Sequence, residues 1–389
     1  MNYNFDQIND RRNSGSLKWD VADNELPMWV ADMDFQTAPE VTQAVIQRAQ
    51  TGVFGYSIIP DQWYTAYQSW WKKRHNISLQ KDSLIFTTGV IPAISTTVKR
   101  MTNTGDNIVI PTPVYDMFFH SVENHGRHVL ECPLQCNNQE YTMDFEDLEK
   151  KLSDPLTTLM ILCNPHNPVG KVWTGEELQK IGSLCKKHHV VVLSDEIHCD
   201  LTLNQAEYVP FAAASAECAQ NSITCIAASK AFNLAGFQSA AVYIPNEGIR
   251  AVMDRGLNSD EVAEPNCFAI ESTVAALTKG GEWLDQLNVY LAKNKQYVAE
   301  FLAENLSELK LTKSGATYLL WVDVSALTKD AQELCDFIRK ETGLYITAGG
   351  QYRGNGASYV RINIACPLAV VKDGMEPTVG NETVIAKLK

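Results

Sequence analysis

The chain has 389 residues and a mass of 43.3 kDa; 45% of its residues are hydrophobic and 20% are charged. This composition excludes a collagen-like, low-complexity or wholly disordered chain, and the length predicts two or three domains with a large buried core. The net charge of −13 argues against a nucleic-acid partner, because such proteins usually present a basic face.

Ten cysteines are scattered along the sequence, and none belongs to a CxxC pair. Several lie inside apolar, strand-like runs, so we interpret them as buried free thiols of a reducing compartment. The N-terminal stretch contains no apolar segment typical of a signal peptide, and no apolar run reaches the roughly 18 residues of a membrane span. The sequence therefore predicts a cytoplasmic protein without a membrane partner.

Strand-like runs alternate with helix-length segments through the middle of the chain. The predicted strands are Ser83–Thr87, Asn107–Pro111, Thr157–Cys163, Val190–Asp195, Ser222–Ala228 and Gln238–Ile244. Helices are predicted at Ile91–Met101, after the first strand, and at Thr174–His188, after the third. This alternation predicts an α/β fold with a mostly parallel mixed sheet that helices cover on both faces.

The pattern changes after about Asn266. The remaining predicted elements are helices at Cys267–Lys279, Glu282–Leu306 and Asp330–Thr342 and strands at Leu311–Lys313, Thr317–Asp323, Leu344–Thr347 and Tyr359–Ala365. They predict a smaller α+β domain. We assign residues 40–283 to a large domain and residues 1–39 together with 284–389 to a small domain, with the long helix as a bridge.

Chemically useful residues follow most of the predicted strands of the large domain. Ligands of an open α/β sheet bind outside the carboxyl ends of its strands, so these residues are candidates for one site. In chain order they are the helix-starting turn Gly89-Val90-Ile91, then Tyr115, Asn167, Asp195 with His198, and the pair Ser229-Lys230. Taken singly, each also fits a structural role: a helix start, core packing, a rigid turn or a cap.

Two of these residues carry charges that a buried position would perturb. Asp195 ends a nearly all-apolar strand, and a buried acid needs a cationic or hydrogen-bonding partner. Lys230 lies among small and apolar residues, where desolvation would lower its pKa and make it a nucleophile or base. An anion-binding helix start, a stacking aromatic, an amide, a carboxylate and a reactive lysine are together what pyridoxal 5′-phosphate (PLP) requires.

Three motifs carry a resemblance to a known family. NPHNPVG at 164–170, DEIH at 195–198 and SKAFNLAG at 229–236 resemble, in order and spacing, fold-type I PLP enzymes of the aminotransferase class I/II superfamily. Three further segments, MWVADMDF at 28–35, TTGVIPAI at 87–94 and YVRINIACP at 359–367, resemble its cystathionine β-lyase-like C–S lyases. The resemblance covers nearly the whole chain and implies PLP as the cofactor.

The resemblance implies a role for each candidate residue. Lys230 matches the catalytic lysine that carries PLP, and Asp195 matches the carboxylate that keeps the pyridine nitrogen protonated. Tyr115 matches the aromatic residue that stacks on the ring. Asn167 matches an Asn that binds the ring's phenolate oxygen and contacts the substrate. His198 occupies the position where many aminotransferases have a Tyr to the same oxygen.

The phosphate and the substrate carboxylate also have implied ligands. Arg361 matches the arginine that binds the substrate α-carboxylate as a bidentate fork. Tyr56 resembles a tyrosine that reaches the phosphate of the partner subunit, which implies a homodimer with shared active sites. The remaining implied phosphate ligands are Gly89, Val90, Ile91 and Ser229.

Some positions depart from the aminotransferase pattern. Aminotransferases of this superfamily usually have an Arg eight residues after the lysine, where this chain has Gln238, and a Ser or Thr three residues before it, where this chain has Ala227. Both departures suit the lyase subgroup. The residues Trp29, Asp32 and Asp34 either line the substrate entrance or anchor the N-terminal segment. The glycine-rich stretch 350–356 lacks the strand–GxGxxG–helix context of a dinucleotide site.

The resemblance implies α,β-elimination on cystathionine and related sulfur amino acids, which yields a thiol, pyruvate and ammonia. The first alternative is an aminotransferase, since the cofactor apparatus is shared. A second alternative, a PLP-dependent transcription regulator, is disfavoured because only 27 residues precede MWVADMDF and the chain is acidic. No metal is expected, because the histidines near residue 125 lack a recognised ligand spacing.

Overall fold

A computed structural model of the protein describes residues 3–204, 206–376, 378–379 and 382–383. The end of the predicted small domain, after residue 383, lies outside the described residues. None of the helices in the described part of the chain has the length and apolar character needed to cross a membrane. All ten cysteines have free thiols.

The elements up to residue 195 are, in chain order, β1 (Leu26–Pro27), α1 (Pro39–Gln50), α2 (Asp61–His75), β2 (Leu84–Thr87), α3 (Val90–Met101), β3 (Asn107–Thr112), α4 (Met117–Glu123), β4 (His128–Pro133), β5 (Gln135–Asn137), β6 (Glu140–Thr142), α5 (Phe145–Leu152), β7 (Thr157–Cys163), α6 (Gly175–Lys187) and β8 (Val191–Asp195).

The later elements are α7 (Phe211–Ala214), α8 (Ala216–Gln220), β9 (Ser222–Ile226), β10 (Ala240–Tyr243), α9 (Glu247–Ser259), α10 (Ala269–Lys279), α11 (Gly281–Asn305), β11 (Lys310–Leu311), β12 (Leu319–Asp323), α12 (Ala331–Thr342), β13 (Leu344–Tyr345), β14 (Thr347–Ala348), β15 (Tyr359–Asn363), α13 (Leu368–Met375), β16 (Thr378–Val379) and β17 (Glu382–Thr383).

A seven-stranded sheet forms the centre of the larger unit, in the order β2-β10-β9-β8-β7-β3-β4. Every neighbouring pair is parallel except the two that involve β10, which runs antiparallel to β2 and to β9. The carboxyl ends of the parallel strands β3, β7, β8 and β9 therefore meet at one edge. The prediction of a mostly parallel mixed sheet is confirmed.

The alternation of side chains along the strands buries both faces of this sheet. In β7, Leu159 and Ile161 pack with helices α3, α4 and α9, whereas Met160 and Leu162 pack with α5 and α6. Helix α6 begins where a capping box forms between Thr174 and Glu177. Helices thus cover the sheet on both faces, as the near-continuous apolar strands predict.

A four-stranded antiparallel sheet, in the order β11-β12-β15-β14, forms the centre of the smaller α+β unit. The 25-residue helix α11 leads from the larger unit into this sheet. Strand β1, near the N-terminus, pairs in parallel with β13. The N-terminal segment therefore packs on the smaller unit, while the predicted boundaries at residues 39–40 and 283–284 stay predictions.

A buried ion-pair cluster fixes the N-terminal segment. Asp34 is buried and accepts from the Lys18 Nζ at 2.7 Å, the Arg11 Nη1 at 2.9 Å and the Trp19 Nε1 at 2.8 Å. Arg11 also bridges to Asp32 at 2.9 Å. Of the two alternatives for these acidic residues, the contacts of Asp34 correspond to the anchor. The anchor places residues 29–31 beside the cavity described next.

Candidate active site

One cavity of about 270 Å³ lies at the carboxyl edge of the seven-stranded sheet, where the smaller unit meets it. Its wall contains all the predicted site residues except Tyr56. These lining residues are Gly89, Val90, Ile91, Tyr115, Asn167, Asp195, His198, Ser229, Lys230 and Arg361. Residues separated by more than 250 positions in sequence thus share one chamber.

Lys230 follows strand β9 and points its amine at the N-terminal segment. Its Nζ donates to the Ala31 carbonyl oxygen at 2.9 Å. Burial lowers the pKa of Lys230 to about 8, and the nearby Arg361 cation lowers it further, against smaller opposing effects of Asp32 and Asp195. About a tenth of this amine is therefore uncharged at pH 7, far more than for an ordinary lysine, and the uncharged form is the one that acts as a nucleophile or base.

Asp195 ends strand β8 and is buried. The Ile197 N–H donates to its Oδ1 at 3.1 Å, and this is the carboxylate's one hydrogen bond within the described chain. Burial raises the pKa of Asp195 to about 7, and the neighbouring Glu196 also raises it, whereas Lys230 lowers it. A cation placed against this carboxylate would lower its pKa and stabilise its ionised form.

His198 is buried, and its Nδ1 has no hydrogen-bond partner among the described residues. Burial lowers the pKa of His198 to about 3, and the cations of Lys230 and Arg361 lower it further. The imidazole is therefore neutral at physiological pH. It can offer one N–H donor and one acceptor to a ligand, but it does not serve as a cationic acid.

The loop 164–170 carries Asn167 into the cavity. Gly170 ends it with a φ of +67°, and a Cβ there would lie 2.4 Å from the Ser314 Cβ, so only glycine fits. His166 anchors the loop from within by bonding the Pro113 carbonyl oxygen at 2.8 Å. Burial lowers the pKa of His166 to about 4, which keeps this buried imidazole neutral.

Arg361 lies in the middle of strand β15 and is buried. Its Nη1 donates to the Asn167 Oδ1 at 3.4 Å and its Nη2 to the Trp29 carbonyl oxygen at 3.1 Å. Its Nε has no partner, and no carboxylate forms an ion pair with it in the described chain. A buried, uncompensated guanidinium is a strong binding group for a carboxylate, which it can engage through two parallel bonds.

The start of helix α3 also lines the cavity. Gly89 precedes the helix, and the first N–H groups of any α-helix lack intrahelical acceptors and carry a partial positive charge. Ser229 lies beside them. Lys230 and Arg361 are the cations that line the cavity, so an anion bound here would depend mainly on helix N–H groups and hydroxyls.

Sequence reasoning missed part of the wall. Val30 and Ala31 line the cavity, and the motif MWVADMDF that contains them was the available signal. Gln238, noted as a departure, lies at the anion-binding end with a φ of +50°. Tyr56 is fully exposed and does not line the cavity of its own chain. The side chain of Trp29 stacks on Tyr345 at 5.1 Å.

Comparisons with known proteins agree with this architecture. The chain matches the family model "Aminotransferase class I and II" over residues 25–376. It is 41% identical to cystathionine beta-lyase PatB of Bacillus subtilis over 96% of this chain and 98% of that protein. It is 32% identical to the protein MalY of Escherichia coli, over 96% and 97% of the two chains.

Solved structures give the same result. The crystal structure of cystalysin from Treponema denticola, which contains a PLP cofactor, matches with a TM-score of 0.93 and 32% identity over 96% of this chain and 97% of that one. A PLP-bound C–S lyase from Staphylococcus hominis matches with a TM-score of 0.90 and 33% identity, over the same shares. The predicted fold class and superfamily are confirmed: the chain belongs to the aminotransferase class I and II family.

Proposed function

We propose that this protein is a PLP-dependent C–S β-lyase, which eliminates a thiol from cystathionine and related sulfur amino acids. The observation that supports it most is one cavity that holds a partly deprotonated lysine, a buried aspartate and an arginine to which no described residue is a counter-ion. The relatives at 41% and 32% identity include a cystathionine β-lyase, and the structural neighbours include a PLP-bound C–S lyase and the PLP-containing cystalysin.

The cavity wall fits PLP. Within the described chain the Nδ1 of His198 has no partner, no side chain caps the helix start at Gly89, and the buried Asp195 carboxylate accepts only one backbone N–H. Lys230, Asp195, Asn167, His198 and Tyr115 would hold the ring. The phosphate would be held by Gly89, Val90, Ile91 and Ser229, with Tyr56 of a second copy. When bound, PLP supplies an electron-accepting pyridinium ring.

Each residue of the site would have a separate role in the elimination. Arg361 binds the α-carboxylate and orients the Cα–H bond of the substrate. Lys230, whose pKa of about 8 leaves part of the amine free, removes the Cα proton as a general base. With PLP bound, Asp195 would keep the pyridine nitrogen protonated, and Asn167 would bind the phenolate oxygen of the ring and contact the substrate. Release of the β-thiolate, hydrolysis and loss of ammonia complete the reaction to pyruvate.

An aminotransferase is the second candidate, because the matched family model carries that name and the cofactor-binding residues would be the same. Transamination returns the proton to the cofactor and needs a keto acid as the second substrate. The absence of an Arg at Gln238 distinguishes this chain from the usual aminotransferase pattern and favours the lyase.

A homodimer and a cytoplasmic location belong to the same proposal. The segment 51–60 exposes several large apolar side chains, which is unusual unless a partner covers them. They are Val53, Phe54, Tyr56 and Ile58. Ten free thiols, eight of them buried, suit a reducing compartment such as the cytoplasm. Cystathionine as the substrate would place the enzyme in methionine biosynthesis.

The test is the release of pyruvate by the PLP-loaded protein from cystathionine, with no keto acid added. We expect steady pyruvate and thiol release by the wild type and none by Lys230→Ala. An enzyme that consumes the amino acid only when a keto acid is present, and then forms the corresponding amino product, is an aminotransferase and contradicts the proposal.

A further inference from the structure

The loop 349–358, which joins strands β14 and β15, closes on itself and docks on the larger unit. A Cβ on Gly349 would lie 2.4 Å from the Gly356 carbonyl oxygen, and one on Gly356 would lie 2.1 Å from the Gly349 oxygen. Only glycine therefore fits at positions 349 and 356, where the two backbone segments touch. Gly354 has a φ of +55°, and a Cβ added to it would lie 2.8 Å from the Pro113 nitrogen.

Further contacts hold this loop against the segment after strand β3. The Tyr352 carbonyl oxygen accepts from the Val114 N–H at 3.0 Å, next to the cavity residue Tyr115. Arg353 forms an ion pair with Glu123 at 2.6 Å and lies 4.1 Å above the Phe119 ring. The loop is therefore a fixed bridge from the smaller unit to the wall of the cavity.

The side chain that this bridge positions is Tyr352, which is completely buried. The centroid of its ring lies 4.8 Å from the Arg361 guanidinium carbon, and Trp321 supports the ring edge-on at 5.6 Å. The Tyr352 hydroxyl lies near the Thr347 and Gln351 side chains but forms no well-aligned hydrogen bond in the described chain, so the ring face is the group that Tyr352 presents to Arg361. A desolvated cation over an aromatic face is stabilised without being neutralised.

We propose that Tyr352 is a positioning residue for Arg361, and that it holds the guanidinium fork ready for the α-carboxylate of the amino-acid substrate. A protein carboxylate in this place would compete with the substrate, whereas a ring face does not. The inference rests on the proposed function in taking an amino acid as the ligand of Arg361. It does not depend on which bond of that amino acid is broken.

The test compares Tyr352→Leu, which removes the ring, with Tyr352→Phe, which keeps it. The PLP-loaded variants are titrated with L-alanine, which has no leaving group, and with ethylamine, which is the same molecule without the carboxylate. The change in visible absorbance reports binding without any elimination. The elimination assay with cystathionine is run in parallel to separate KM from kcat.

For Tyr352→Leu we expect the Kd for L-alanine to rise about 30-fold, which is about 2 kcal/mol, with little change for ethylamine. The KM for cystathionine should rise more than kcat falls. Tyr352→Phe should stay within about threefold of the wild type. A wild type that binds L-alanine but releases no pyruvate from cystathionine would reject the lyase, and the L-alanine titration would still test the role of Tyr352.

Three results would overturn the inference. Tyr352→Leu could retain the wild-type Kd for L-alanine, which would show that the ring does not position Arg361. It could weaken L-alanine and ethylamine equally at full PLP occupancy, which would indicate a general loss of structure. Tyr352→Phe could be as weak as Tyr352→Leu, which would assign the effect to the hydroxyl.

Discussion

Asp195 and Lys230 line the same cavity, and their pKa values are shifted in opposite directions from the ordinary values. Burial raises the pKa of the carboxyl to about 7 and lowers the pKa of the amine to about 8. Both shifts have the same cause, because a low-dielectric site disfavours either charge. A positively charged ligand against Asp195 would relieve the first penalty, so the chain without its ligand holds a carboxylate that is costly to ionise.

The cofactor-free Asp195→Asn variant tests this cost. Between pH 4 and pH 7 the folded wild type keeps a proton on Asp195 that the unfolded chain loses, so its free energy of unfolding falls as pH rises. An amide does not titrate. We expect the variant to be more stable than the wild type at pH 8, and this gain to be roughly 2 kcal/mol smaller at pH 5.

Urea unfolding of both proteins at the two pH values measures the difference. A gain that is the same at pH 5 and pH 8 would show that Asp195 is not the titrating group. With PLP bound, the same variant should lose elimination activity by about 100-fold or more, since it no longer holds positive charge on the ring.

Arg361→Lys should not be a conservative change. A guanidinium makes two parallel bonds to a carboxylate, while an ammonium acts as a point charge. The loss of one charge-assisted bond should lower kcat/KM for cystathionine about 10- to 150-fold. Ethylamine, which lacks the carboxylate, serves as the control ligand, and its Kd should be nearly unchanged. An unaltered kcat/KM would mean that the α-carboxylate is bound elsewhere.

At the scale of elements, hydrogen bonds hold the loop 164–170 of the larger unit against the smaller unit. The Gly170 carbonyl oxygen accepts from the N–H groups of Gly315 and Ala316 at 2.9 and 3.1 Å, and this pairing fixes the position of Asn167. The loop therefore depends on the conformation of a single glycine. That dependence can be measured against a second glycine five residues later, at the start of helix α6.

Gly170→Ala should destabilise the protein by about 2–4 kcal/mol, because a φ of +67° and a contact of 2.4 Å with Ser314 are both unfavourable for a Cβ. Gly175→Ala is the matched control, since a Cβ there meets no atom within 4 Å and alanine favours a helix. Thermal unfolding at equal PLP occupancy compares them. Equal stability of the two variants would contradict the account of this loop.

The strands of the central sheet other than β4, and five helices, α3, α6, α10, α11 and α12, could be predicted from the sequence, because these apolar and amphipathic runs were cleanly separated; the long helices α1, α2 and α9 were not predicted. Strand β7 and helix α3 were predicted to within one residue. Strand β4 and the hairpin β5–β6 were missed, since polar residues interrupt HVLECPLQCNNQEY and mask the alternation. The short helices α4 and α5, of seven and eight residues, gave too few turns for a periodic pattern.

The candidate site also contains residues that the sequence predicts and residues that it does not. Side chains after strand ends were found because topology brings such positions together. The carbonyl oxygens of Trp29 and Ala31, which contact Arg361 and Lys230, have no side-chain signature. A role for Tyr352 was not predicted, because the glycine-rich stretch 350–356 was compared only with a dinucleotide-binding motif. Its position depends on a tertiary contact with Pro113 and Val114.

At the scale of the whole molecule, we expect a dimer in which each site takes Tyr56 from the other subunit. Mixing Tyr56→Phe with Lys230→Ala subunits should restore activity, because the heterodimer then has one site with an intact lysine and an intact tyrosine. Each variant alone, at the same concentration, is the control. A monomer by light scattering at micromolar concentration would contradict this arrangement.

The hydrogen bond from Arg361 to the Trp29 carbonyl oxygen spans 332 positions of the chain. During synthesis at about 5–20 residues per second, Arg361 leaves the ribosome on the order of ten seconds after Lys230. A nascent chain therefore presents its reactive lysine well before the strand that completes the chamber. Selectivity for carboxylates through Arg361 can therefore arise only after β15 has been synthesised.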